Sequence, residues 1–244
     1  MQNYLIISAS SDIGFLTAQN LVLQGKNIFI TAQNFERLEQ LKSILNCDGA
    51  VLNAADFSAT QTVFEQALAS LGSLDGVVNF AGSVILKPAH LTSFDEYQKT
   101  VEASLTTAFS TVRAAAKSLK NGGSVVLIAS AAAMHGISNH EAIAAAKGGV
   151  IALAKSAAAT YASQNIRFNL VAPGLIETKL TQKITGNENA LKASSAMHAL
   201  GRIGKPSDVA AMVEFLLSEK ANFITGQVIG VDGGLSNLQP KIKI

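Results

Sequence analysis

The chain has 244 residues, a formal net charge of +2, and 15% charged against 48% hydrophobic residues. That length suits one α/β domain around a single core, 1–244, and the composition excludes a disordered chain. The near balance of 19 basic and 17 acidic side chains gives no reason to expect a nucleic-acid or membrane surface.

The chain enters a strand pattern at once, with Tyr4-Leu5-Ile6-Ile7 in a candidate strand 4–8. No basic leader or cleavage site precedes it, so no signal peptide is expected. The turn Ile7-Ser8-Ala9-Ser10-Ser11-Asp12-Ile13-Gly14 follows and opens a helical pattern at 13–24. A strand, a turn of small residues and a helix N-terminus are what a dinucleotide needs. The backbone can approach a pyrophosphate, and free N–H groups face it. Asp12 cuts two ways here, as a helix cap worth about 1 kcal/mol or as an anion repelling a phosphate.

The second strand, 27–32, runs into Gln33 and Asn34. An acid there would select NAD and a base NADP. Two neutral side chains decide neither, and both also read as helix-start residues for 35–46. Cys47 is the single cysteine, which excludes an internal disulfide and fits a buried thiol in a reducing cytoplasm. Strands are expected at 50–53, 75–80, 123–130, 165–171 and 227–231. Helices are expected at 59–71, 95–120, 140–162 and 206–218. Continuous apolar runs such as Val125-Val126-Leu127-Ile128 suit a parallel sheet buried on both faces. The alternation therefore predicts a Rossmann-type doubly wound sheet of seven parallel strands with helices on both faces. The alanine-rich stretch near 142–159 holds Lys147 and Lys155 and reads as a packed helix, not a membrane span. Residues 175–205 break the rhythm. They follow a strand end where such sheets bind ligands, and they are expected to form a substrate lid.

Several motifs then appear in order. Ile7, Ser8 and Asp12 stand at the first, second and sixth positions of a Thr-Gly-x-x-x-Gly-Ile-Gly turn. Asn79-Phe80-Ala81-Gly82 is similar to Asn-Asn-Ala-Gly, and Pro173-Gly174-Leu175-Ile176-Glu177-Thr178 to Pro-Gly-x-Ile-x-Thr. Gly201 to Pro206 and Gly226 to Gly234 complete the set. Over residues 3–234 the chain resembles the short-chain dehydrogenase/reductase family, close to its 3-oxoacyl-carrier-protein reductase-like members.

The resemblance implies NAD or NADP as cofactor. Ser8, Ser10, Ser11, Asp12, Ile13, Gln33, Asn34, Asp56, Asn79, Ala81, Gly82, Lys147, Pro173, Gly174, Ile176 and Thr178 would then be its contacts. Asp56 would touch adenine, or else cap the helix that starts near Ser58. The family's polarising serine falls on Ser130 and its ribose-binding lysine on Lys147, although a solvated helix lysine is the other reading. The tyrosine that exchanges the proton falls on Ile143, thirteen after Ser130 and four before Lys147, and the relay asparagine on Ser104. Ile143 has no ionisable atom, while general acid–base catalysis is worth roughly 10²–10⁴-fold.

His140 is seven residues before Lys147, two helical turns away, and is the candidate replacement donor. Its other reading is a residue of the cap region Ser138-Asn139-His140-Glu141. His135 is a weaker candidate, and His90 and His198 are expected at the surface. Two functions follow: an NAD(P)-dependent oxidoreductase acting on a carbonyl or alcohol with an atypical proton donor, or a catalytically silent relative that binds a nucleotide or serves as a non-catalytic subunit. The resemblance further implies a small-molecule substrate, no metal, a cytoplasmic protein and a homo-oligomer, a tetramer or a dimer. The tail 235–244 carries Pro240, Lys241 and Lys243 and either crosses a subunit interface or hangs loose.

Overall fold

The computed structural model describes residues 2–239. Seven strands, β1 (Asn3–Ile7), β2 (Asn27–Ala32), β3 (Asp48–Val51), β4 (Gly76–Asn79), β5 (Gly123–Ile128), β6 (Ile166–Pro173) and β7 (Val228–Val231), form one parallel sheet in the order β3-β2-β1-β4-β5-β6-β7. The register pairs Leu5 with Phe29 on one side and with Val77 on the other.

Alternating side chains along each strand feed two cores. Leu5, Ile7, Val77, Val125 and Phe168 pack with Phe64 of helix α3 (Phe57–Leu71), Ala115 of α5 (Thr107–Ser118) and Ala154 of α6 (Glu141–Tyr161). On the opposite face Tyr4, Ile6, Ile30, Val78 and Val171 pack with Leu21 of α1 (Asp12–Leu23), Leu41 of α2 (Phe35–Leu45) and Val213 of α9 (Pro206–Leu217). Both faces are covered, which is why the strands read as unbroken apolar runs. The long apolar stretch Glu141–Gln164 has the length and composition of a membrane span, yet its α6 portion is one of these core helices.

The structure departs from the sequence expectation in three places. The helix expected at 95–120 is α4 (Phe94–Val101) and α5 joined by a π turn at Glu102–Thr106. The Thr107 hydroxyl donates there to the carbonyls of Ala103 and Ser104, at 3.0 and 3.2 Å. Such a hydroxyl competes for helix carbonyls and favours a local widening that leaves the apolar periodicity almost unchanged. The segment 175–205 is largely helical, with a 3₁₀ turn at Lys179–Thr181 followed by α7 (Gln182–Thr185) and α8 (Glu188–Met197). None of the residues of α8 is buried, so no apolar stripe announces it. Cys47 is only half-buried; burial still pushes its thiol up to about 12. Of the tail, Pro240, Lys241 and Lys243 lie outside the described residues.

The first turn is left-handed at Ser8, with φ +60°. Side chains disfavour that conformation by about 1–2 kcal/mol, and glycine removes the cost while adding unfolded-state freedom. Ser8→Gly is therefore expected to raise stability by about 0.5–1 kcal/mol, read as a higher urea midpoint. An unchanged or lower midpoint would show that the turn is not strained.

Candidate functional site

The sheet reverses direction between β1 and β4, and a cleft of about 220 Å³ opens above their C-terminal ends. Ser10, Ser11, Asp12, Ile13, Ala81, Gly82, Ser130, Lys147, Pro173, Gly174, Ile176 and Thr178 all line it. Twelve positions from five separate stretches of sequence thus converge in one crevice, where open α/β sheets bind ligands.

The turn that floors the cleft is braced from β2. Ser8 N–H donates to Thr31 Oγ1 at 3.1 Å and Ala9 N–H to the Thr31 carbonyl at 2.9 Å. Ser11, not Asp12, caps α1, its Oγ accepting from Gly14 N–H at 3.1 Å. A Cβ at Gly14 would stand 2.7 Å from both Ser11 Oγ and the Ser8 carbonyl, so this turn admits only glycine there. The backbone N–H groups of Asp12 and Ile13 have no acceptor among the described residues. Free donors at a helix N-terminus fit a pyrophosphate.

The other proposed cofactor contacts lie around the cleft rather than in its wall. Asn34 caps α2 by accepting from Arg37 N–H at 2.8 Å, and Gln33 beside it is exposed. Asp56 caps α3, its Oδ1 taking the N–H groups of Ser58 and Ala59 and the Ser58 hydroxyl. Those bonds, the Ala59 N–H first, hold its carboxyl below the usual range. Asn79 is a buried bracket. Its Nδ2 donates to the Thr107 carbonyl and Thr111 Oγ1, and its Oδ1 accepts from Ala81 N–H at 2.7 Å. It fixes the Ala81-Gly82 wall against α5.

Lys147 is buried on α6 and donates from Nζ to the Ile128 carbonyl at 2.8 Å. Burial lowers its pKa to about 8. A solvated helix lysine is therefore excluded. Ser130 follows β5 and accepts on Oγ from Ala132 N–H at 3.2 Å. Ser104, in the π turn, is buried with its Oγ unpartnered.

A second cavity of about 170 Å³ adjoins the cleft and shares Ser130, Ile143, Pro173, Gly174 and Thr181 with it. Val84, Leu86, Ile137, Ile184, Met197 and Leu235 supply its apolar walls, and among the described residues no charged side chain lines it. His140 and His198 do. His140 precedes α6 and its Nδ1 bonds the Ser138 carbonyl at 2.7 Å, which places a proton on Nδ1 and leaves Nε2 as the nitrogen able to exchange one. It stands at the N-cap position of α6 without a side-chain cap bond, and its ring lines the cavity. His135 and His90 are exposed, as expected.

His198 corrects the expectation of a surface histidine, being 3% exposed. Its Nδ1 donates to the Ser194 carbonyl at 2.7 Å and its Nε2 accepts from Leu175 N–H at 3.2 Å. A Cβ at Gly174 would meet that ring at 2.6 Å, so the glycine and the histidine fit one another. Periodicity hides this residue because it sits just past α8, where no stripe leads to it. A larger hollow of about 660 Å³ lies beyond Gly174 around Arg202, Asp208 and Asp232, away from Lys147.

Lys147 gives a pH signature. Below about pH 8 it is charged in both states and its burial weakens the fold. Between pH 8 and its ordinary 10.5 the unfolded chain holds a proton that the folded protein has shed, so stability rises with pH. In urea titrations from pH 7 to 10 the parent is expected to gain stability relative to Lys147→Met. A constant difference would rule out the depressed lysine.

Comparison with known proteins matches this arrangement. Residues 7–236 fit the family model described as enoyl-(acyl carrier protein) reductase. The chain is 34% identical to the 3-oxoacyl-(acyl-carrier-protein) reductase of Thermotoga maritima, over 95% of this chain and 96% of that one. It is 33% identical to the 7alpha-hydroxysteroid dehydrogenase of Bacteroides fragilis, over 98% and 96% of the two chains. Among solved structures, a short-chain type dehydrogenase/reductase from Mycobacterium ulcerans superposes with a TM-score of 0.93 at 30% identity, covering 98% of this chain and 91% of that one. The fold is thus shared with proteins alike along almost their whole length, and the chain belongs to the short-chain dehydrogenase/reductase family of NAD(P)-dependent oxidoreductases.

Proposed function

We propose that this protein interconverts a compact, uncharged carbonyl compound and its alcohol, with His140 carrying the proton in place of the side chain missing at Ile143. The observation that carries this reading is the junction at Ser130 and Ile143. The cleft with Lys147 and the free N–H groups of α1 lies on one side, and the apolar cavity with His140 lies on the other. Bound NAD or NADP supplies or accepts the hydride. The N-terminus of α1 would hold its pyrophosphate and Lys147 its ribose. Ser130 would polarise the substrate oxygen. In the oxidising direction His140 Nε2 takes the alcohol proton, while its Nδ1–H stays on the Ser138 carbonyl; reduction returns that proton.

The substrate class follows from the cavity wall. It is small beside pockets for drug-sized ligands, roughly 300–1,000 Å³, and an unpaired carboxylate or phosphate there would lose its hydration without finding a cation. A neutral, largely apolar molecule suits it. Gln33 and Asn34 carry no charge to favour either cofactor, so both are expected to bind. Exposed Phe94 and Tyr97 on α4, Leu91 just before it and Phe109 on α5 support a homo-oligomer, a tetramer or dimer.

The silent reading is favoured by one observation, that Ile143 is buried and has no proton to give. Steady-state reduction of a panel of small neutral ketones separates the two. His140→Ala is expected to lower kcat by about 10²–10⁴-fold, and Ile143→Tyr to raise turnover. Full activity in His140→Ala ends the histidine role; turnover seen only in Ile143→Tyr identifies a silent parent. Saturating dinucleotide, at a hundred times its Kd, is expected to stabilise the parent by about 2.7 kcal/mol in thermal melts. No shift with either NAD(H) or NADP(H) would remove cofactor binding altogether.

A further inference from the structure

Asp12 is the first residue of α1 and lines the cleft, yet its side chain neither caps the helix nor bonds another residue of the turn. Its Oδ2 accepts from the backbone N–H of Lys179 at 2.6 Å, a bond spanning 167 residues of chain. Lys179 opens the 3₁₀ turn from which α7 and α8 continue. Lys179, Leu180 and Thr181 wall the cleft, and Ile184, Ser194 and Met197 wall the second cavity.

The attachment of this segment is uneven. At its far end His198 Nε2 holds Leu175 N–H. Before it, the bridge between Ile176 and Gly204 fixes the strand exit, with Glu177 N–H on the Gly204 carbonyl. Among the described residues, 182–197 make no hydrogen bond to the chain outside 178–198. With none of its residues buried, α8 adds little packing. At the near end the one bond from Lys179–Thr181 to the opposite wall of the cleft is Asp12 to Lys179.

We propose that Asp12 is a positioning residue, the latch that holds the 179–197 segment down across the mouth of both cavities. A charged acceptor on a backbone N–H is stronger than a neutral one, and this bond adds the opposite wall of the cleft to the hold that buried Thr181, through its hydroxyl on the Ile176 carbonyl, already gives the turn. The position is also apt, since a carboxylate at the first turn of a helix sits well in the helix field.

Asparagine keeps the oxygen acceptor and removes the charge; alanine removes both. Trypsin reads the segment directly at Lys179, Lys183 and Lys192. In the nucleotide-free protein, Asp12→Ala is expected to be cut at these sites roughly tenfold faster than the parent, with Asp12→Asn between the two. Amide exchange at Lys179 is expected to follow the same order, and it reports the bond even if Asp12→Ala melts lower overall. Equal cleavage and exchange in Asp12→Ala and the parent would overturn the latch, as would Asp12→Asn behaving like Asp12→Ala. Neither readout needs turnover or bound dinucleotide, so the result stands whatever becomes of the proposed chemistry.

Discussion

The structure depends on the reversal of winding between β1 and β4. Parallel strands joined by right-handed crossovers place α1, α2 and α9 on one face and α3, α5 and α6 on the other. Where the direction changes, neighbouring connections leave the sheet on opposite sides and a crevice remains between them. Most of the wall residues reach that crevice because they follow a strand end or begin the next helix, while Lys147 reaches it from within α6. The first turn, the Ala81-Gly82 wall, Ser130 and the Pro173-Gly174 corner are four instances of one geometric rule.

Around that crevice the chemistry is divided. Polar and cationic groups lie toward the cleft, where Lys147 is desolvated to a pKa of about 8 yet keeps the Ile128 carbonyl as partner. Apolar groups lie toward the second cavity. Ile143 stands at the boundary and contributes to both. It gives that wall shape without a proton. His140, bonded through Nδ1 at the start of the same helix, is the titratable group nearest in sequence that lines the apolar side. Under the proposed function the proton is carried at the edge of this wall and not at its centre.

The wall facing the first turn is the least self-sufficient part of the molecule. α7 and α8 expose most of their surface and are held at their ends by Asp12 and by His198. Few buried contacts and few bonds to the body are the physical content of local mobility. Asp12 thus links the phosphate turn to the covering segment, coupling two parts of the site that lie 167 residues apart in sequence.

Much of this was legible beforehand. All seven strands and six of the helical stretches show in apolar periodicity, because burial on both sheet faces writes itself into composition. Asn34 and Asp56 were visible as helix-start residues, whereas the cap of α1 is Ser11 and not the expected Asp12. The π turn at Glu102–Thr106 was hidden, since widening one turn leaves the apolar pattern intact, and α8 was hidden because it buries no residue. Periodicity reports only what packs. By itself the sequence determined the fold, the order of the motifs and the spacing of Ser130, Ile143 and Lys147. Only the tertiary structure decided that Lys147 is desolvated, that His198 is buried against Gly174, that His140 lines the apolar cavity and that Asp12 reaches Lys179. Those properties arise from contacts between residues far apart in the chain, and no local pattern encodes which distant partner a side chain will meet.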